Sequence, residues 1–85
     1  MIQRSSNGQV IYMLSGQIAE EDIAELEGLI RSEAKGRRIV LDLKNLTLVG
    51  QDAIALLVRC EANGITLKNC PAFIRERIKG QRGES

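Results

Sequence analysis

The chain has 85 residues, enough for one domain and too few for a second. Hydrophobic residues make up 44% of it and charged residues 27%, a balance that predicts a folded globular protein. The 12 Lys and Arg against 11 Asp and Glu give a net charge of +1, so charge offers no argument for a nucleic-acid or acidic-membrane partner. The sequence contains no His, which excludes Ser-His and Cys-His nucleophile pairs and the HExxH zinc helix.

Targeting and cysteine patterns predict a cytoplasmic protein without a membrane span. Residues 1–8 lack the apolar segment of a signal peptide, and the longest apolar run, residues 53–58, is far shorter than the roughly 20 residues that cross a bilayer. Cys60 and Cys70 are not spaced as a CxxC pair and no His completes a ligand set, so no zinc site is expected. A disulfide is not expected in a cytoplasmic protein. No cofactor is expected, because so small a core rarely encloses a large one.

The first half of the chain predicts a β-hairpin followed by a helix. Asn7-Gly8 favours a type I′ turn between strands at residues 2–5 and 9–14, and Ser15-Gly16 ends the second strand. The acidic residues 20–22 indicate the start of a helix that Gly36 ends. The helix contains Gly28 and an (i, i+4) pair, Glu27 and Arg31. Its apolar face is spaced by three and four residues: Ile23, Leu26, Ile30 and Ala34, flanked by Leu29.

The second half alternates strands with helices. Residues 38–43 are typical of a buried strand, and residues 44–49 are predicted to form a connection. We expect a second helix at residues 51–63, closed by Gly64, then a short strand at 65–68 and a third helix from Pro71 to about Lys79. Residues 1–79 therefore predict a single α/β domain, with a small mixed sheet of hairpin and parallel strands packed against helices. Residues 80–85 predict a disordered tail.

Three stretches of this sequence resemble the STAS domain (sulphate transporter and anti-sigma factor antagonist). The first is residues 10–18, where LSGQI at residues 14–18 is similar to the family's L-x-G-x-(L/I) strand exit before the first helix. Residues 38–49 (RIVLDLKNLTLV) are similar to its VVLDLSGVTFID segment, and residues 61–76 (EANGITLKNCPAFIRE) to a subgroup with EAEGIxLxNCPxxIRE. The match extends over about residues 9–78 and implies a STAS-like fold.

The resemblance implies a phosphorylation-controlled binding module rather than an enzyme. In anti-sigma factor antagonists, a partner kinase that also holds a sigma factor phosphorylates a Ser in a D-S-x-G loop before the second helix. Alignment of residues 47–49 with the family's T-F-I places Gly50 at the Asp, Gln51 at the Ser and Ala53 at the Gly. Gln51 has no hydroxyl, so no phosphorylation is expected at the usual position.

The same resemblance points to a docking surface on this loop and the second helix. Its predicted members are Gly50, Gln51, Asp52, Leu56 and Arg59. Helical spacing directs Leu56 outward while four apolar residues point inward: Ala53, Ile54, Leu57 and Cys60. Other interpretations remain open: Asp52 as an N-cap or first-turn acid, anion binding by the loop, and Leu56 as an ordinary exposed apolar residue.

The remaining candidate residues favour structural roles. Cys60 and Cys70 are interpreted as buried thiols rather than reactive ones. The carboxylates Asp42, Asp52 and Glu61 have no spacing that forces them together as a metal or acid-base site. A basic patch near the carboxyl terminus is interpreted as a solvated helix face, with contact to nucleic acid or an acidic partner as the alternative: Arg75, Arg77, Lys79 and Arg82.

The sequence and its resemblance together predict a non-catalytic protein-interaction module of bacterial regulation. The expected partner is a protein, an anti-sigma factor or a related kinase. Two alternatives stay open: a domain that binds a nucleotide or lipid ligand, and a structural homo-oligomer such as a homodimer formed through the exposed hairpin edge at residues 2–5.

Overall fold

The computed structural model describes residues 1–6, 8–33, 36–81 and 83. Strand β1 pairs antiparallel with β2, and β2–β3 and β3–β4 pair parallel, in the sheet order β1-β2-β3-β4. The predicted α/β class with a mixed sheet is therefore confirmed. The elements are β1 (Ile2–Ser6), β2 (Val10–Ile18), α1 (Glu20–Ser32), β3 (Ile39–Val49), α2 (Gln51–Ala62), β4 (Thr66–Lys68) and α3 (Ala72–Gln81).

One face of the sheet builds the core together with the three helices. Side chains alternate between the two faces of a strand, and the register sets Tyr12 of β2 beside Leu41 of β3. Both are fully buried, and they share one apolar cluster with Leu26 of α1, Ile54 of α2 and Ile74 of α3. The opposite face lies outside that cluster and has Ile11, Met13, Val40 and Asp42 along its two central strands.

Helix α2 lies between α1 and α3, so it buries residues on two sides. Its buried residues lie within three turns of the helix: Ala53, Ile54, Leu56, Leu57 and Cys60. Asn63 caps the carboxyl end and Gly64 follows with a φ of 88°, the left-handed conformation that glycine adopts without strain. The predicted helix over residues 51–63 and its glycine terminator are confirmed.

Strands β2 and β3 are longer than the sequence indicates. Residues 44–49, predicted as a connection, are part of β3, and β2 continues through Ser15 and Gly16 to Ile18. The register shifts between Met13 and Ser15 and again between Gly16 and Gln17, because β3 has an extra residue at each place. These bulges interrupt the regular alternation, which is why the sequence pattern indicates an end where the strands continue. Gly16 has a φ of 72° at the second bulge.

The carboxyl end of α1 is fixed to the sheet through Glu33. The hydroxyl of Tyr12 donates to the Glu33 carboxylate, and Arg4 Nε of β1 donates to the same group at 3.0 Å. These donors, Arg4 first, lower the pKa of the Glu33 carboxyl below its usual value. Burial raises the pKa of Tyr12, so its hydroxyl stays protonated and donates.

The helix ends differ from the predicted bounds by more than one residue at two places. Helix α1 ends at Ser32 rather than at Gly36, and α3 extends through Gly80 to Gln81, two residues into the predicted tail. The rest of that tail, apart from Gly83, lies outside the described residues, as do Asn7 of the predicted turn and Ala34 of the predicted helix face. Within the described ranges, no helix is long and apolar enough to cross a membrane.

Substitution of Gly28 by alanine tests how much this glycine destabilises α1. A Cβ atom at this exposed position would meet nothing within 4 Å, so no close neighbour requires glycine there. Gly28→Ala should raise the free energy of unfolding by about 0.8–1 kcal/mol, because alanine restricts the unfolded chain and favours the helix. Urea unfolding followed by circular dichroism measures the change.

The matched control is Gly64→Ala at the end of α2. Its surroundings are equally open, but its φ of 88° strains any residue with a Cβ. This variant should lose about 1–2 kcal/mol of stability. A loss of stability in Gly28→Ala as well would contradict the described environment of α1.

Candidate functional site

The loop between β3 and α2 exposes three of the predicted docking residues. Gly50 is the N-cap of α2 with extended backbone, and Gln51 and Asp52 are the first two helical residues, all three exposed. No side chain caps this helix end, so the interpretation of Asp52 as an N-cap is wrong and that of a first-turn acid is confirmed. The carboxylate of Asp52 there lies close to the positive end of the helix dipole.

The prediction that Leu56 faces solvent is wrong. Leu56 is only 5% exposed, and it packs with Leu26 of α1 and with Leu14 and Leu46 of the sheet. The prediction assumed one buried face on α2, whereas α2 is covered from two sides. Leu56 therefore belongs to the core and is not available to a partner.

The exposed stripe of α2 that remains faces a groove shared with α1. The groove has a volume of about 530 Å³. We call it the acidic groove, because its charged side chains are three carboxylates and one guanidinium. It is lined by Glu20, Ile23, Ala24 and Glu27 of α1 and by Asp52, Ala55 and Arg59 of α2.

An ion pair crosses between the two helices at one end of the acidic groove. Arg59 Nη2 lies 3.6 Å from Glu27 Oε2, and both side chains are partly exposed. The sequence spacing suggested that Glu27 would pair with Arg31 on its own helix; the ion pair that forms is with Arg59 instead. With Glu27 balanced in this way, Glu20 and Asp52 leave the groove with a net negative charge.

Sequence reasoning missed the contribution of α1 to this groove. Glu20, Ala24 and Glu27 are spaced four and three apart, which places them on one helix face. That spacing was visible in the sequence, but only the packing of α1 against α2 shows that this face lies beside Asp52 and Arg59.

The thiols of Cys60 and Cys70 lie in surroundings that keep them protonated and unreactive. Cys60 is 4% exposed, and burial raises the pKa of its thiol to about 11, so it is protonated at neutral pH. Cys70 is half-buried, its Sγ lies 3.7 Å from the Pro71 carbonyl oxygen, and burial raises its pKa as well. Both cysteines are free thiols.

Part of the basic patch near the carboxyl terminus makes contacts with other elements of the fold. Arg75 Nη1 lies 3.2 Å from Glu61 Oε2, and the guanidinium of Arg77 donates to the carbonyl oxygen of Val49. These contacts join α3 to α2 and to the end of β3. Lys79 is exposed, and Arg82 lies outside the described residues.

Asp42 has a structural role at the first β3 bulge. It is 8% exposed, and its Oδ1 accepts from the Lys44 amide at 3.0 Å and from Asn69 Nδ2 at 3.4 Å. Within the described ranges, no three Cys, Asp or Glu side chains form a group that suits a metal ion.

Comparison with protein-family models finds no match for this chain, and comparison with curated proteins finds no similar sequence. The resemblance to STAS domains therefore rests on the three sequence stretches quoted above.

Truncation of Leu56 separates a core role from a docking role. Leu56→Ala should lower the free energy of unfolding by about 2–5 kcal/mol, because it opens a cavity between α1, α2 and the sheet. Leu48→Ala is the matched control: the same change at a side chain that is 55% exposed should alter stability by less than about 0.5 kcal/mol. Equal, small effects in chemical denaturation would show that Leu56 is not buried.

Proposed function

We propose that this protein is a non-catalytic interaction module that docks on a protein partner through the acidic groove and the adjoining loop at residues 50–52. The observation that supports this best is the groove itself, where exposed residues of two helices meet with a net negative charge beside the loop. By resemblance to the STAS anti-sigma factor antagonists, the partner is an anti-sigma factor or a related regulatory kinase in the cytoplasm.

The charge of the groove supports a partner with a basic contact surface. Complementary charge speeds association and excludes partners of the wrong sign. The groove floor between Ile23 and Ala55 is apolar and both residues are half-buried, so it offers burial in addition to charge. An element with cationic residues around an apolar side chain fits this combination.

Gln51 supports docking that is independent of phosphorylation at the usual position. It is the first residue of α2 and is exposed, at the place where the resembling family has its phosphorylated Ser. An amide cannot be phosphorylated, and the carboxylate of Asp52 next to it is a permanent negative charge. We therefore propose a partner contact that is constitutive at this loop.

The test is capture of binding proteins from a lysate of the source organism, followed by titration of each recovered protein against variants. Glu20→Gln with Asp52→Asn removes two exposed groove charges and should weaken binding about tenfold, since exposed charge pairs contribute up to about 1 kcal/mol each. Binding of the wild type should also weaken as salt is added.

The matched control is Glu21→Gln with Glu76→Gln. It removes the same charge from two exposed acids that do not line the groove, one of them in the same first turn of α1. This control should bind as the wild type does. Equal weakening in both double variants, or no partner above background, would contradict the proposed function.

A further inference from the structure

A second cleft lies at the opposite end of the sheet from the loop at residues 50–52. It is bounded by the second half of α1, by the segment that leads into β3, and by the second half of α2 with the turn that follows it. Its volume of about 610 Å³ lies within the range of sites that hold small molecules. We call it the Arg cleft, after its charged residues: Arg31, Arg37, Arg38 and Arg59, with Glu27.

The charge of the Arg cleft is positive, although the whole chain is nearly neutral. Arg59 is paired with Glu27, whereas Arg31, Arg37 and Arg38 make no ion pair within the described part of the chain. Arg37 Nη2 donates to Ser6 Oγ at 2.9 Å, and the positive charge of Arg37 also acts on the Glu33 carboxylate. Arg31 and Arg38 therefore present two guanidinium groups without an ion pair in the described residues. They favour an anion, because the guanidinium fork matches carboxylate and phosphate oxygens.

The wall and floor of the Arg cleft are apolar and aliphatic. Ile30 and Ile39 are half-buried at its wall, and Leu56 and Ile65 lie beneath them. The chain has two aromatic residues, Tyr12 and Phe73, and neither lines the cleft. The planar base of a nucleotide would have no aromatic ring to stack on there. An aliphatic chain, in contrast, can pack against the aliphatic side chains of the cleft.

We propose that the Arg cleft binds an aliphatic chain that ends in a phosphate or carboxylate. The anionic head contacts Arg31 and Arg38 at the rim, and the chain covers Ile30 and Ile39. This site is separate from the proposed docking surface except for Glu27 and Arg59, which line both. The proposal does not depend on the proposed function, and it involves no chemical change in the ligand.

The first experiment titrates the wild-type protein with alkyl phosphates below their critical micelle concentrations. Calorimetry with butyl, hexyl and octyl phosphate should show affinity rising about fourfold for each added methylene that enters the cleft. Inorganic phosphate should bind far more weakly than any of them. Affinity that is independent of chain length would overturn the proposal, because an apolar wall would then have no part in binding.

The second experiment locates the anionic head. Arg31→Ser with Arg38→Ser should weaken octyl phosphate binding about tenfold or more. Lys44→Ser with Lys79→Ser removes the same charge at two exposed positions outside the cleft and should leave affinity unchanged. Circular dichroism and the unfolding midpoint show whether each variant is folded. Equal weakening in both folded double variants would overturn the proposed site.

A third set of titrations separates the sources of such a ligand. Decanoate and octyl phosphate represent a free aliphatic anion, and phosphatidylcholine vesicles containing phosphatidic acid represent a membrane surface. The proposal is supported if decanoate and octyl phosphate both bind to the wild type and this binding is lost when Arg31 and Arg38 are replaced by serine. This holds whether or not vesicles also bind. Binding to vesicles alone, or tighter binding of ATP than of octyl phosphate, would overturn it.

Discussion

The position of α2 between α1 and α3 is the constraint on which the surface of this protein depends. All three helices contribute to the core on one face of a four-stranded sheet, so the middle helix buries two of its sides. What α2 still exposes toward α1 is a stripe at Asp52, Ala55 and Arg59. A stripe that narrow is too small to hold a partner alone. Docking there requires α1, and the acidic groove is the surface that the two helices form together.

The contacts between α1 and the rest of the fold also define the Arg cleft. Tyr12 and Arg4 hold Glu33 at the carboxyl end of α1, and this fixes one wall of the cleft against the sheet. The pair of Glu27 and Arg59 lies at the border of the acidic groove and the Arg cleft and lines both. A chain with a net charge of +1 thus has a negative groove and a positive cleft next to each other, and the ion pair of Glu27 and Arg59 lies between them.

The sequence predicted those features that local residues determine. The parallel strand order follows from the alternation of strands and helices, and Gly64 ends α2 through its own backbone conformation. The full length of β3 was not predictable, because two bulges break its alternation and only pairing with β2 keeps it a strand. Leu56 was misplaced for a similar reason: the number of buried sides of a helix depends on its neighbours, and its own spacing is compatible with one side or two.

For the candidate site too, only the part formed by one local stretch of sequence was predictable. Gly50, Gln51 and Asp52, which the family resemblance indicated, lie exposed at the start of α2. The contribution of Glu20 and Glu27 required the packing angle of two helices that are distant in sequence. The Arg cleft joins residues from α1, from the segment before β3 and from α2, so no single stretch of sequence indicates it.

Photo-crosslinking in cells of the source organism tests the central claim most directly, since it does not require the partner to be known. A photoreactive residue replaces Gln51 beside the acidic groove in one variant and Met13 on the sheet face opposite the helices in the other; both positions are exposed. The account predicts a covalent adduct with a specific protein from position 51 and none from position 13. An adduct from position 13 alone would place the docking surface on the sheet and contradict the account.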